Sequence, residues 1–189
     1  MRTRARLITQ WGRWSATLVL LFGFGCSGPA LPKGIKLDGQ SLEKAADWSR
    51  SGLSGRVFIP PGEKLDTASV QVGVILSEKH TSGRALNTWL MDEYRKSPTT
   101  QFFENAADEE ACKVGATTNG TEVRLFLALH LCRGRGAYAV CAEVDEKLVD
   151  PSGSPCPIDD GACWPRLCEE RWIQRRTTLT AIADQVLAY

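Results

Sequence analysis

The sequence contains no apolar run long enough to cross a membrane as a helix, because none reaches the roughly 18 to 20 uninterrupted residues that a span requires. It also has only two histidines, no C-x-x-C pair, no G-x-S-x-G elbow and no arginine pair ahead of its hydrophobic leader. These absences argue against a thiol oxidoreductase, an α/β-hydrolase and twin-arginine export. We also find no internal repeat and no low-complexity tract.

The charge of the chain is distributed unevenly. The formal net charge is +1, but the first 25 residues carry four arginines and no acid. The remainder therefore has 19 basic against 22 acidic residues, a net charge of −3. No cationic surface for nucleic acid survives that subtraction, so we predict no nucleic-acid partner. The hydrophobic fraction of 43% and the charged fraction of 24% are those of an ordinary globular protein.

The amino terminus has the pattern of a secretory signal peptide. An arginine-rich start is followed by a short apolar region, residues 16–24, and then by Gly25 and Cys26. This end resembles the lipobox of bacterial lipoproteins, in which a leucine and two small residues precede the acylated cysteine. Gly25 and Cys26 match the two innermost positions, whereas Phe24 and Gly23 stand where a small residue and a leucine are usual.

The resemblance implies a lipid anchor, such as palmitate, on Cys26 and a place in the bacterial cell envelope. We expect the outer membrane, with the protein facing the periplasm. The boundaries are then a signal peptide over 1–25, a flexible Pro- and Gly-containing tether over 26–39, and a single globular domain over 40–189. Ordinary export without lipid, with Cys26 removed or idle, and a retained cytoplasmic helix are the alternatives.

The cysteine count supports the same interpretation. Seven cysteines are present, and lipidation of Cys26 leaves an even number that can form three disulfides in an oxidising compartment. These six are Cys112, Cys132, Cys141, Cys156, Cys163 and Cys168. The last three have spacings unlike those of a zinc ribbon, with six and four intervening residues. We therefore predict structural disulfides, and no metal or cofactor.

The periodicity of the chain predicts an α/β or α+β fold. We expect a small mixed sheet with an antiparallel hairpin at about 122–145, flanked by helices and stapled by disulfides. The predicted helices cover residues 41–50, 84–96, 105–114 and 166–187, the last with an apolar stripe at helical spacing. The predicted strands cover residues 56–59, 69–77, 100–104, 123–131 and 138–144.

The hairpin pattern also makes a prediction about disulfides. If residues 133–136 form a four-residue turn, the apolar faces of the two strands coincide. Cys132 and Cys141 then lie roughly 13 Å apart along the strands, which is too far for a disulfide. We therefore expect these two cysteines to pair elsewhere, with the segment 156–168 crossing their face of the sheet.

The segments VGVILSE, GRALNTWLMDEYRKSP, TTQFFE, NAADEEACKVGATT and EVRLFLALHL follow one another within roughly residues 70–132. In the order of predicted elements, the chain resembles the small α/β domain of TolB-type and curli-secretion-type envelope proteins. That resemblance implies protein interaction in the envelope rather than catalysis. The six cysteines depart from those families.

A candidate ligand site lies between the strand at 69–77 and the helix that follows. In the loop at 78–84, free amides at the helix start could receive an anion together with His80, Ser82 and Arg84. The competing interpretation is an ordinary helix cap with solvated charges. A hydrolytic set of Ser82, His80 and Asp92 lacks a supporting motif. We expect His130 to be a hairpin side chain packed under the C-terminal tail.

The sequence therefore predicts a membrane-anchored envelope lipoprotein with a non-catalytic binding or scaffolding domain that contacts an envelope protein. The alternative is a small-ligand-binding or hydrolytic periplasmic domain that uses the 78–84 loop.

Overall fold

The computed structural model describes residues 29–96, 100–119, 122–148, 156–157 and 160–188. The strands, in chain order, are β1 (Ile35–Leu37), β2 (Gln40–Arg50), β3 (Leu53–Ile59), β4 (Val70–Ser77), β5 (Thr100–Ala107), β6 (Glu110–Asn119), β7 (Glu122–Arg135) and β8 (Tyr138–Leu148). The helices are α1 (Gly83–Lys96), between β4 and β5, and α2 (Cys163–Leu187) after β8. Among the described residues, no helix is both long enough and apolar enough to cross a membrane.

All eight strands join in one antiparallel sheet with the order β1-β2-β3-β4-β8-β7-β6-β5. Helix α1 connects β4, in the middle of the sheet, to β5 at its edge. The expectation of a small mixed sheet flanked by helices is therefore wrong. The fold is dominated by its sheet, and each helix packs on a different face.

Two of the predicted helices are strands. Residues 41–50 lie in β2, and residues 105–114 contribute to β5 and β6. Their alanine, glutamate and lysine content favours helix, but tertiary pairing with neighbouring strands overrides that weak preference. Ile35–Leu37, inside the segment predicted as tether, forms β1.

Two-residue turns at both ends of β2 explain why it is a strand. Asp38 and Gly39 between β1 and β2, and Ser51 and Gly52 between β2 and β3, all have positive φ angles. Turns with positive φ at both central residues match the twist of antiparallel strands and produce tight hairpins. The D-G and S-G dipeptides are the local signals that fix β2 as a strand.

The hairpin of β7 and β8 exists, but its register differs from the prediction. The turn is Gly136-Ala137, with Gly136 at φ +61°, and Cys132 lies directly opposite Cys141. The shift from the predicted pairing is an even number of residues, so every side chain keeps its face. The two cysteines form a disulfide with a Cα separation of 4.0 Å, which overturns the prediction that they pair elsewhere.

The larger core lies between the sheet and α2. Leucines at alternate positions of β7 meet valines of β4 and β8, and the predicted stripe of α2 is buried against them. The residues of that stripe are Leu179, Ile182, Ala183 and Val186. A disulfide from Cys112 on β6 to Cys168 ties α2 to this face, and Cys156–Cys163 closes the start of the helix. The cysteine-rich segment is thus stapled to the face opposite Cys132 and Cys141, contrary to the expectation.

Helix α1 packs on the other face through a close backbone contact. A Cβ atom on Gly83 would lie 2.6 Å from the carbonyl oxygen of Cys132, and one on Gly134 would lie 2.6 Å from the carbonyl oxygen of Thr81. These glycines let the first turn of α1 lie directly against the end of β7. Behind that contact Leu86 and Leu90 pack on Ile75 and the Cys132–Cys141 disulfide.

Candidate functional site: a charged cleft on the α1 face

The α1 face of the sheet holds a cleft with a volume of about 190 Å³, beside the last turn of α1. Its walls come from α1 and from β6, β7 and β8. The chemistry-bearing side chains that line it are Tyr94, Lys113, Arg124, Phe126, Glu143 and Asp145. Thr117 and Ala128 complete the lining.

Strand register brings these side chains together. Lys113 of β6 is opposite Ala128 of β7, and Ala128 is opposite Asp145 of β8, so the three form one row across the sheet. In the next row, His130 lies beside Glu143 on the same face. Because Ala128 is small, the space between Lys113 and Asp145 stays open.

Lys113 is the most unusual residue of the cleft. It is 2% exposed, and its Nζ lies 4.1 Å from the ring centroid of Tyr94 and 5.3 Å from that of Phe126. Its Nζ makes no ion pair or hydrogen bond to any residue that the structure describes. Burial lowers the pKa of Lys113, and the carboxylates Glu143 and Asp145 oppose that shift. The cation–π contacts and the nearby carboxylates thus both favour the charged form of Lys113.

Two carboxylates face Lys113 across the cleft. Glu143 accepts a hydrogen bond of 2.7 Å from the Tyr94 hydroxyl, and Asp145 lies 3.8 Å from the Arg124 guanidinium. Burial, together with repulsion from Glu143, raises the pKa of Asp145 to about 7. The charge of the cleft therefore changes near neutral pH.

His130 lies beneath these groups. It is fully buried, its ring meets that of Tyr94 edge-on at 4.9 Å between centroids, and its Nε2 lies 3.5 Å from Glu143. Burial lowers its pKa, so the imidazole is neutral at pH 7. We expected His130 beneath the C-terminal tail, but it is covered by α1 instead.

Several buried polar atoms of this region make no hydrogen bond to the described residues. They are Arg124 Nε, Asp145 Oδ1 and both ring nitrogens of His130. The great majority of buried polar atoms in proteins form hydrogen bonds. Several buried polar atoms without them in one place therefore indicate a site for a ligand or water. The cleft thus offers donors and acceptors of both signs to a small molecule.

The 78–84 loop is held by local contacts. The Ser82 hydroxyl accepts a hydrogen bond from the Ala85 amide and so caps α1. His80 lies 3.1 Å from the Ser77 hydroxyl and packs against Trp89, and burial lowers its pKa. Arg84 forms an exposed ion pair with Asp108. His80 and Arg84 thus engage different neighbours, and their predicted role in ligand binding stays a prediction.

The cysteines are distributed between the two faces. The six that were predicted to form disulfides do so, as Cys112–Cys168, Cys132–Cys141 and Cys156–Cys163. Cys26 lies outside the described residues. Among the residues that the structure describes, no three or more His, Cys, Asp and Glu side chains are placed to hold a metal ion.

Lys113 was not among the predicted site residues, because residues 105–114 were predicted to form a helix. The alternation of residues along β6 could have shown its position. Cys112, Val114 and Ala116 point to the α2 core, and Lys113 falls between them. A lone lysine in such a strand would lie on the second face, beside Phe126 and Asp145.

No protein-family model, no curated protein and no solved structure matches this chain. Its function must therefore be inferred from its residues and their arrangement.

Proposed function

We propose that this protein is a lipoprotein of the bacterial cell envelope, anchored through Cys26, whose single domain binds a partner and performs no catalysis. The observation that supports the proposal best is the use of the cysteines. All six cysteines of the domain are paired, so Cys26 is the one cysteine for which the fold has no use. Three disulfides also suit an exported protein rather than a cytosolic one.

Metabolic labelling with palmitate tests the anchor. The parent protein should incorporate label and sediment with membranes, whereas Cys26→Ser should lose the label. Ser27→Ala is the matched control and should behave like the parent. Absence of label in the parent, or its retention in Cys26→Ser, would contradict the proposal.

A protein partner is the first candidate for the binding role. Ile173, on the outward side of α2, is 76% exposed, the highest value among the exposed large hydrophobic side chains of the described residues. A photo-crosslinking amino acid at Ile173 should capture one envelope protein in living cells. The same amino acid at exposed Asp184 of α2 is the control and should not. Equal capture at both positions would show that the contact is nonspecific.

A small ligand is the second candidate, and the cleft beside Lys113 favours it. The sequence-based alternative placed such a ligand, or a hydrolytic activity, at the 78–84 loop. His80→Ala and Arg84→Ala separate the two places. If the loop is the site, ligand binding fails in these variants; if the cleft is the site, binding persists.

A further inference from the structure

The cleft contains charged groups of both signs whose hydrogen bonding to the described residues is incomplete. Arg124 Nε is a buried donor and Asp145 Oδ1 a buried acceptor, and neither has a hydrogen-bond partner among the described residues, although the Arg124 guanidinium lies 3.8 Å from Asp145 Oδ1. Lys113 Nζ, beside them, makes no hydrogen bond or ion pair to the described residues. All three belong to residues that line one cavity. A ligand that enters the cavity can reach both kinds of group at once.

Such an arrangement lowers the stability of the folded protein. Burial removes hydration from Lys113, and the aromatic contacts together with the nearby carboxylates replace only part of it. A methionine would fill the position of Lys113 between Tyr94 and Phe126 without that loss. A ligand with an anionic group would supply the hydrogen bonds that Lys113 lacks.

The volume of the cleft suits a small molecule. A cleft of about 190 Å³ has room for several waters, since one water needs about 10–15 Å³ of such a volume. A molecule with a few non-hydrogen atoms fits in that space. A larger molecule would place only one of its groups there.

The distribution of charge selects among small molecules. A simple anion would pair with Lys113 and Arg124 but would face Glu143 and Asp145. A simple cation would meet the opposite problem. A molecule with one carboxylate and one ammonium group satisfies both sides.

We propose that the cleft beside Lys113 binds a small zwitterion of the amino-acid class. Its carboxylate pairs with Lys113 and Arg124, and its ammonium group pairs with Asp145 and Glu143. The proposal rests on the binding role proposed above, and it is independent of the lipid anchor. A failed titration would therefore leave the palmitate and crosslinking results intact.

Isothermal titration calorimetry tests the proposal on the full-length protein in detergent. The probes are glycine, β-alanine and both enantiomers of alanine and serine, with propionate and ethylammonium as analogues that carry one charge. At least one zwitterion should bind with a Kd below about 1 mM, and both analogues should bind at least tenfold more weakly. Equal binding of an analogue would overturn the proposal, and so would the absence of binding by every zwitterion in this panel.

Variants assign the binding to the cleft. Lys113→Met and Asp145→Asn should each weaken the zwitterion at least tenfold. Lys36→Met, which changes an exposed lysine on β1, is the matched control and should bind like the parent. Circular dichroism and urea unfolding establish that each variant is folded, and Asp145→Asn carries the test if Lys113→Met is not. Parent-like affinity in a folded cleft variant would refute the assignment.

Discussion

The disulfide between Cys112 and Cys168 should contribute more to stability than the other two. It joins β6 to α2 across a sequence separation of 56 residues, whereas Cys156–Cys163 spans 7. In the chain-entropy description, a bridge stabilises the fold by restricting the unfolded chain, and the effect grows with the logarithm of the loop. The long bridge then contributes about 4 kcal/mol and the short one about 2.5 kcal/mol.

The double variant Cys112→Ala/Cys168→Ala isolates this contribution, because it leaves no free thiol of the pair to form a wrong bridge. Both cysteines are buried, at 1% and 3% exposure, so a cost for lost packing adds to the entropic one. Cys156→Ala/Cys163→Ala is the matched control, since it also removes one bridge near the start of α2. The expected difference between the two variants is at least about 1.5 kcal/mol.

Urea unfolding followed by circular dichroism measures both variants against the parent. We expect the variant without the long bridge to have the lower midpoint and α2 to lose its protection from hydrogen exchange first. An equal or smaller loss than in the control would refute the reasoning. Peptide mapping that pairs Cys112 with any cysteine other than Cys168 would also refute it.

Three further predictions concern the α1 face. Gly134→Ala places a Cβ 2.6 Å from the Thr81 carbonyl oxygen and should cost about 1–3 kcal/mol in urea unfolding, whereas Gly161→Ala, in open space, should change little. Burial raises the Asp145 pKa to about 7 from 3.8, so the folded state holds this proton more tightly. This proton stabilises the folded state fully below pH 4, and the stabilisation is lost as pH rises through 7. Relative to Asp145→Asn, the free energy of unfolding of the parent should therefore fall by about 2–4 kcal/mol between pH 4.5 and 7.5. Parallel curves of stability against pH for the two proteins would contradict this. Ser82→Ala removes the cap of α1 and should cost about 1 kcal/mol in unfolding by heat or urea, without altering affinity in the cleft.

The regular spacing of apolar residues in strands and helices made part of the fold predictable from the sequence. The alternation in β7 and β8 predicted the hairpin and its apolar face, and the stripe at Leu179 and Ile182 predicted α2. The helix at 84–96 and the strand at 69–77 were correct to within one residue at each end. Each of these segments has a local preference that agrees with its tertiary role.

Other segments were predicted wrongly because the secondary structure that their local sequence favours conflicts with the fold. Residues 41–50 have the composition of a helix, and only the Asp38-Gly39 and Ser51-Gly52 turns on either side require a strand. The turn at Gly136-Ala137 was placed too early because Gly134 also looked like a turn residue, while in the fold it makes room for α1. That error moved Cys132 away from Cys141.

Predicting the cleft from the sequence required correct assignment of those segments. Lys113 and Asp145 are 32 positions apart in the chain and become neighbours only through the pairing of three strands. With residues 105–114 taken as a helix, that row could not be built. Arg124 and Asp145 likewise lie 3.8 Å apart although their backbone positions are not directly opposite.

The intact mass of the protein isolated from envelope membranes tests the central proposal most directly. We predict a chain that begins at Cys26, carries the added mass of acyl groups at that residue, and is lighter by six hydrogens because of its three disulfides. A chain that retains residues 1–25, or one cut elsewhere without acyl mass, would contradict the assignment as a lipoprotein.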